Sequence, residues 1–168
     1  MARISSAVAG GVNVLSFLDL IAWSEGTSRS PITCDDGYDV IVTGSDGKPE
    51  IFTDYWQHPF AGGRKPKHVR GALYSSASGR YQHMRTHWPH YRDQLRLPDF
   101  GPLSQDRWAI QLIRERKALD DIKAGRIPEA IAKVRNLWAS LPGAGYAQPE
   151  HDLEDLLSQF IAAGGVLA

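Results

Sequence analysis

The sequence predicts an α+β fold, mainly helical, with one small β-hairpin to the side of the helices. Apolar residues recur at helical spacing in several separate segments, and only one stretch alternates like a strand before a turn. Hydrophobic residues make up 42% and charged residues 23% of 168 residues, the usage of an ordinary globular chain. That length fits a single domain, residues 1–168, able to bury about two-thirds of its unfolded surface.

Residues 1–12 read as a loose N-terminal extension. They carry a mildly apolar run, but Gly10, Gly11 and Asn13 break it and Asp19 interrupts its continuation, so neither an export signal nor a membrane span is expected. From Asn13, a candidate N-cap, Val14, Phe17, Leu18 and Ile21 mark an amphipathic helix that Gly26 should stop just beyond Glu25. Tyr38 to Thr43, the turn Gly44-Ser45-Asp46-Gly47-Lys48, and Glu50 to Thr53 read as strand, turn and strand. Residues 59–78, rich in Gly, Lys and Arg, read as a long exposed loop.

Pro89 should interrupt or restart a helix that ends before Leu97-Pro98. Ser104 is the expected cap of a helix carrying Trp108, Leu112 and Ile113, and Gly125 should end a shorter one. Pro128 opens a further helix with Ile131, Val134, Leu137 and Trp138 buried, and Pro149 begins the last, with a stripe of Leu153, Leu156, Leu157, Phe160 and Ile161. Between them Leu141-Pro142-Gly143-Ala144-Gly145-Tyr146 is a second flexible loop, and the two long loops are expected to frame a groove.

Charge and cysteine content narrow the function. Nineteen basic and nineteen acidic residues cancel, which removes the global positive field that would favour nucleic acid or an anionic membrane. The run Arg64-Lys65-Pro66-Lys67-His68-Val69-Arg70 is local, and a solvated loop is its default reading. Cys34, alone, is expected as a free thiol in a reducing compartment. His83, His87 and His90 lack the His-Glu-x-x-His pattern, with Arg85 between the first two, so no metal and no cofactor are expected and the histidines should lie at the surface. No Gly-x-Ser-x-Gly elbow supports a serine nucleophile.

Glu25 is the sharpest chemical candidate. It stands at a helix C-terminus, where the dipole disfavours negative charge and raises proton affinity, with Trp23 close by as an apolar wall. Around it, Phe17-Leu18-Asp19, Ala22-Trp23-Ser24-Glu25-Gly26-Thr27, Gly37-Tyr38-Asp39-Val40-Ile41-Val42, Phe52-Thr53-Asp54-Tyr55, Gly79-Arg80-Tyr81-Gln82, Ser104-Gln105-Asp106 and Trp138-Ala139-Ser140-Leu141-Pro142-Gly143-Ala144-Gly145-Tyr146 resemble, in this order, segments of the lambda-type phage endolysins. That family belongs to the lysozyme superfamily.

The resemblance implies a lysozyme-like fold and lytic transglycosylase activity on bacterial peptidoglycan, with Glu25 as acid and then base. It also implies substrate contacts from Tyr38, Asp39, Gln82 and Tyr146, with the Gly79 backbone approaching the sugar. Asp39 reads equally well as an anchor of the hairpin, and Asp54 reads as structural. A hydrolytic lysozyme acting on the same bond, with Asp39 or Asp54 directing water, is the alternative; a glycan-binding module without catalysis is a distant one. The implied partners are peptidoglycan glycan strands and a separate holin-type membrane protein. A monomer is expected, accumulating in the host cytoplasm and released to the wall at lysis, with no nucleic acid and no stable membrane association.

Overall fold

The computed structural model describes residues 1–145 and 149–168, which form two compact units where the sequence reads as a single domain. One comprises Met1–Glu25 with Asp106–Ala168, and the other Gly26–Gln105. Helices α1 (Ser6–Ala9), α2 (Val12–Ser24), α3 (Trp88–Leu95), α4 (Pro102–Glu115), α5 (Leu119–Lys123), α6 (Ile127–Val134) and α7 (Leu153–Ala162) accompany two antiparallel hairpins. No helix among the described residues is long and apolar enough to cross a membrane.

In the first unit α2 is the central element. Val14, Phe17, Leu18, Leu20, Ile21 and Ala22 are all fully buried, a wider apolar surface than one stripe, because α1, α5 and α7 all pack on this helix. Asn13 does not cap it: Gly11 holds the N-cap position, and Asn13 lies inside the helix, exchanging hydrogen bonds with the Val166 backbone (Nδ2 to O and N to Oδ1, both 2.9 Å). The side chain thus ties the end of the chain to the start of α2. Ser16 adds a bond from its hydroxyl to the Ala163 carbonyl at 3.0 Å.

The N-terminal residues, expected to be loose, are fastened. Asp106, fully buried, accepts hydrogen bonds at its Oδ2 from the backbone amides of Arg3 (2.7 Å) and Ile4 (2.8 Å), and Ala2 N donates to Asp19 Oδ1 at 2.7 Å. Ser5 caps α1, and the Ile4 side chain is itself buried. Distant acceptors in the sequence hold the segment, which local apolarity alone does not reveal.

Several helix boundaries differ from expectation for local reasons. Pro102 opens α4, and Ser104, inside it, donates its hydroxyl to Asp99 Oδ1 at 2.9 Å. Pro89 sits in the first turn of α3, where its missing N–H costs nothing, so it restarts the helix. In α6 the helix stops at Val134, leaving buried Trp138 beyond it and Leu137 half-exposed. Pro149 precedes α7 without belonging to it; Leu156 and Phe160 are its buried face, while Leu153 and Ile161 are exposed.

In the second unit, β1 (Val40–Ile41) pairs with β2 (Glu50–Ile51), Val40 opposite Ile51, as the alternating pattern predicts over a longer span. The segment 59–78, expected to be a loop, contains another hairpin: β3 (Lys67–Arg70) pairs with β4 (Leu73–Ser75) about the left-handed Gly71. Leu73 and Tyr74 on it are exposed, so this hairpin buries no apolar face and gives no hydrophobic signature in sequence. Beneath, Phe100 gathers the aromatic rings of His58 (4.6 Å between centroids), Trp88 (5.4 Å) and Phe52 (5.9 Å).

Replacing Asp106 by Ala would take the acceptor from the buried Ile4 amide and from the part-buried Arg3 amide. We expect a loss of about 2–3 kcal/mol in urea denaturation and faster proteolysis within residues 1–11. Parental stability would mean that the N-terminal segment does not depend on this carboxylate.

Candidate active site

Glu25 is the C-cap of α2, its amide bonded to the Ile21 carbonyl at 2.9 Å, and Gly26 follows in the left-handed conformation (φ 72°) that ends the helix. From the same unit, Ser140 approaches the Glu25 carboxyl: the Ser140 hydroxyl lies 2.6 Å from Glu25 Oε1, and its backbone amide also donates to the carboxyl. Desolvation by burial is the largest influence on Glu25 and raises its pKa, partly opposed by the two Ser140 hydrogen bonds. The carboxyl is therefore easier to protonate than an ordinary glutamate.

The segment that supplies Ser140 is itself held to the end of α2. Ser24 Oγ is 3.0 Å from Ser140 Oγ, His151 Nε2 donates to the Ser24 carbonyl at 3.2 Å, and the His151 ring lies 4.5 Å from that of Trp23. The Trp23 ring thus packs on His151 at the end of α2. Sequence reasoning passed over Ser140 because a serine 115 positions away gives no local sign of its partner. Glu150 accepts hydrogen bonds from the Gly143 (2.7 Å) and Gly145 (3.0 Å) amides, and these hold its pKa low. The described part of this glycine-rich stretch is therefore braced. Tyr146, named from the sequence as a substrate contact, lies outside the described residues.

The other candidates belong to the second unit. Asp39 is 3% exposed and uses both oxygens on the 33–34 turn, accepting from Thr33 Oγ1 (2.5 Å) and Cys34 N (2.8 Å). Of its two readings, the geometry favours the anchor. Tyr38, expected at the substrate, is fully buried; its ring meets Tyr81 edge-on at 6.2 Å and its carbonyl accepts from Gln105. Burial makes it scaffold, in place of the substrate contact that the resemblance implies. Asp54 Oδ1 accepts from Trp56 N at 2.8 Å, a local turn contact consistent with a structural role.

Gln82 is half-exposed, with φ 51°, and its amide Nε2 donates to the Gly79 carbonyl at 3.1 Å. Gly79 (φ 78°) is required by a neighbour inside the protein: a Cβ there would stand 2.2 Å from Gln105 Oε1. Gln105, fully buried, bonds Arg80 N, Tyr38 O and Phe100 O, so it stitches the Gly79-to-Gln82 turn to the scaffold. The same turn docks on β1 through Gly79 N to Val40 O at 2.7 Å.

Arg80 is buried, its guanidinium paired with Asp36 (2.9 Å) and set over the Tyr38 ring at 5.2 Å. Burial works to lower its pKa, but the Tyr81 and Tyr38 hydroxyls and Asp36 outweigh it and the net shift is upward. Its carbonyl accepts from Thr27 Oγ1 at 2.6 Å, which fixes the chain just after Gly26. In the basic run, Arg64 (2.6 Å) and Lys67 (3.0 Å) both pair with Glu50, and they hold its carboxyl below the usual range. Part of that positive charge is thereby neutralised on the spot. His87 and His90 are exposed as expected, but His83 is buried, its Nε2 donating to the Gln105 carbonyl at 3.1 Å.

A mainly helical chain with small antiparallel hairpins and an acid of raised pKa at the end of its central helix defines a lysozyme-like protein. Solved structures agree. "Bacteriophage lambda lysozyme complexed with a chitohexasaccharide" matches with a TM-score of 0.83 at 45% identity, covering 100% of both chains. The lysozyme from bacteriophage lambda matches with a TM-score of 0.81 at 43% identity, again covering 100% of both. The Endolysin family profile matches residues 15–167, and the chain belongs to that family. The endolysin of Escherichia phage P2 is 65% identical over 158 residues, 93% of this chain and 95% of that one. The endolysin of Escherichia phage lambda is 48% identical over 153 residues, 90% and 91% respectively.

Two tests address the scaffold around Gln82. Gly79→Ala must displace the buried, triply bonded Gln105 amide, and we expect a loss of about 1–3 kcal/mol by thermal or urea denaturation; an unchanged midpoint would remove the close approach. The buried histidines set a pH dependence. Burial holds His58 near pKa about 4 and His83 near about 3, against 6.5 for the ordinary side chain. His58 is neutral by its bonds, donating from Nε2 to the His83 carbonyl and accepting at Nδ1 from Phe60 N.

Because the unfolded chain binds these protons first, their stabilisation is complete above pH 6.5 and is lost as pH falls toward 4 and then 3. Denaturation midpoints measured across that window should fall with acid, and less steeply in His58→Gln.

Proposed function

We propose that this chain is a lytic transglycosylase that cleaves the β-1,4 bond between N-acetylmuramic acid and N-acetylglucosamine in bacterial peptidoglycan, releasing 1,6-anhydromuramic acid ends. The observation that carries this reading is Glu25, one carboxyl with raised proton affinity at a helix end. The family membership and a solved relative complexed with a chitohexasaccharide support a glycan substrate of the same amino-sugar chemistry.

In this scheme the protonated Glu25 gives its hydrogen to the glycosidic oxygen as the bond from that oxygen to C1 breaks, and the N-acetylglucosamine side leaves as an alcohol. The muramic acid C6 hydroxyl then attacks C1 of the oxocarbenium-like centre; its proton passes to the Glu25 carboxylate as the C1–O6 bond forms. No water is consumed and Glu25 ends protonated, ready for another turn. Enzymes that hydrolyse such bonds normally use a second carboxylate to direct water or attack the sugar. Asp39 and Asp54, the candidates for that task, each bond the backbone of their own turn, which favours the single-acid route.

Gln82, partly accessible on the Gly79-to-Gln82 turn, is proposed to bond the sugar, and Tyr146 is retained as a proposed contact on sequence grounds. The biological setting we propose is lysis of a phage host: the monomer accumulates in the cytoplasm and reaches the wall once a separate holin-type protein opens the inner membrane.

Mass spectrometry of fragments released from purified murein sacculi distinguishes the two reactions. Anhydro products are expected; hydrolysed muropeptides alone, each one water heavier, would replace this reading by a muramidase. Glu25→Gln, folded as judged by circular dichroism, should lose at least about 100-fold in rate. Parental activity in that variant would end the role assigned to Glu25.

A further inference from the structure

Two serine hydroxyls and one carbonyl line up behind Glu25. Its Oε1 is 2.6 Å from Ser140 Oγ, which is 3.0 Å from Ser24 Oγ, which is 3.0 Å from the Ile21 carbonyl. A carbonyl only accepts, so the single proton of Ser24 is committed to Ile21, and Ser24 faces Ser140 as an acceptor. Ser140 has one proton and two neighbours that can receive it. Which one receives it depends on the state of Glu25.

When Glu25 is ionised, Ser140 donates to the carboxylate in a charge-assisted bond. When Glu25 is protonated, the carboxyl O–H donates to Ser140 Oγ, and the Ser140 proton turns to Ser24. Rotation of one hydroxyl therefore satisfies both states, with no buried group left unbonded in either. A basic partner such as arginine would instead favour the ionised form alone. Ser24 is 5% exposed and Ser140 half-buried, so the inner hydroxyl is shielded from bulk water.

We propose that Ser140 and Ser24 are positioning residues forming a hydroxyl switch that balances the two protonation states of Glu25, so that one carboxyl serves as acid and then as base within a turnover. This deepens the reading of Glu25 as the catalytic group and rests on it. Ser140 supports the ionised form and Ser24, through Ser140, the protonated form. Their removal must therefore act in opposite directions.

The test is a carbon-13 NMR titration of the Glu25 side-chain carboxyl in the full chain, beside pH–rate profiles on murein sacculi, for the parent, Ser140→Ala, Ser140→Thr and Ser24→Ala. Ser140→Ala should raise the Glu25 pKa by about one unit, Ser24→Ala should lower it by about half a unit, and Ser140→Thr should restore the parental value. The high-pH limb of kcat, where the acid form is lost, should move with each, and Ser140→Ala should lower kcat about tenfold with KM within about twofold.

Shifts of the same sign in both alanine variants, or a Ser140→Ala titration that overlays the parent, would overturn the switch. Failure of the catalytic reading is seen separately: opposite titration shifts with no matching movement in the rate profiles would uncouple Glu25 from turnover while leaving the hydroxyl pair intact.

Discussion

The contact between the Ser140 hydroxyl and the Glu25 carboxyl is the constraint on which the proposed chemistry of this chain depends. Burial raises the proton affinity of Glu25, and unopposed it would hold the carboxyl in its protonated form. Two hydrogen bonds from Ser140 pull the other way. The balance matters more than either part, because an acid that must become a base within the same turnover needs both forms to be reachable. The first unit is arranged around that balance. α2 is buried over most of its turns, so its end is a rigid platform, and Ser140 and His151 are both bonded to it.

The second unit solves a different problem, that of holding short irregular segments without large sheets. Its two hairpins are small, and buried polar groups take over the fixing. Asp39 ties the 33–34 turn, Arg80 joins Asp36 to Thr27, and Gln105 gathers three backbone groups that no strand would satisfy. Each of these side chains is buried and hydrogen-bonded through most of its polar atoms, the condition under which a buried polar group is tolerated. Such networks fix geometry more sharply than apolar contacts do, which suits a turn proposed to meet a sugar.

The same distinction explains what the sequence made legible. Helix α2, its stop at Gly26 and the β1–β2 hairpin follow from local periodicity and turn chemistry, and they were readable. So was Glu25, because its place at a helix end is a local fact. Asn13, Ser104 and Asp106 were misjudged or missed since each spends its polar atoms on a partner that no short-range pattern identifies. Tyr38 shows the opposite failure. The family resemblance implies a substrate contact there, yet the side chain is fully buried and packs edge-on against Tyr81.

Gly79 and Gln105 show why motif and mechanism should be separated. A Gly-x-x-Gln element invites the idea that the glycine admits a ligand, but the atom that fills the space over Gly79 is the amide of Gln105. The glycine is required by the protein's own packing, and the turn it permits presents Gln82 at a positive φ. The positive φ of Gln82 is thus held in place by a buried amide that makes three hydrogen bonds. A substitution at Gly79 or Gln105 would disturb the presentation of Gln82 without removing any atom proposed to touch the sugar. Loss of activity in such a variant would accordingly report on the scaffold, and only a change at Gln82 itself can report on binding.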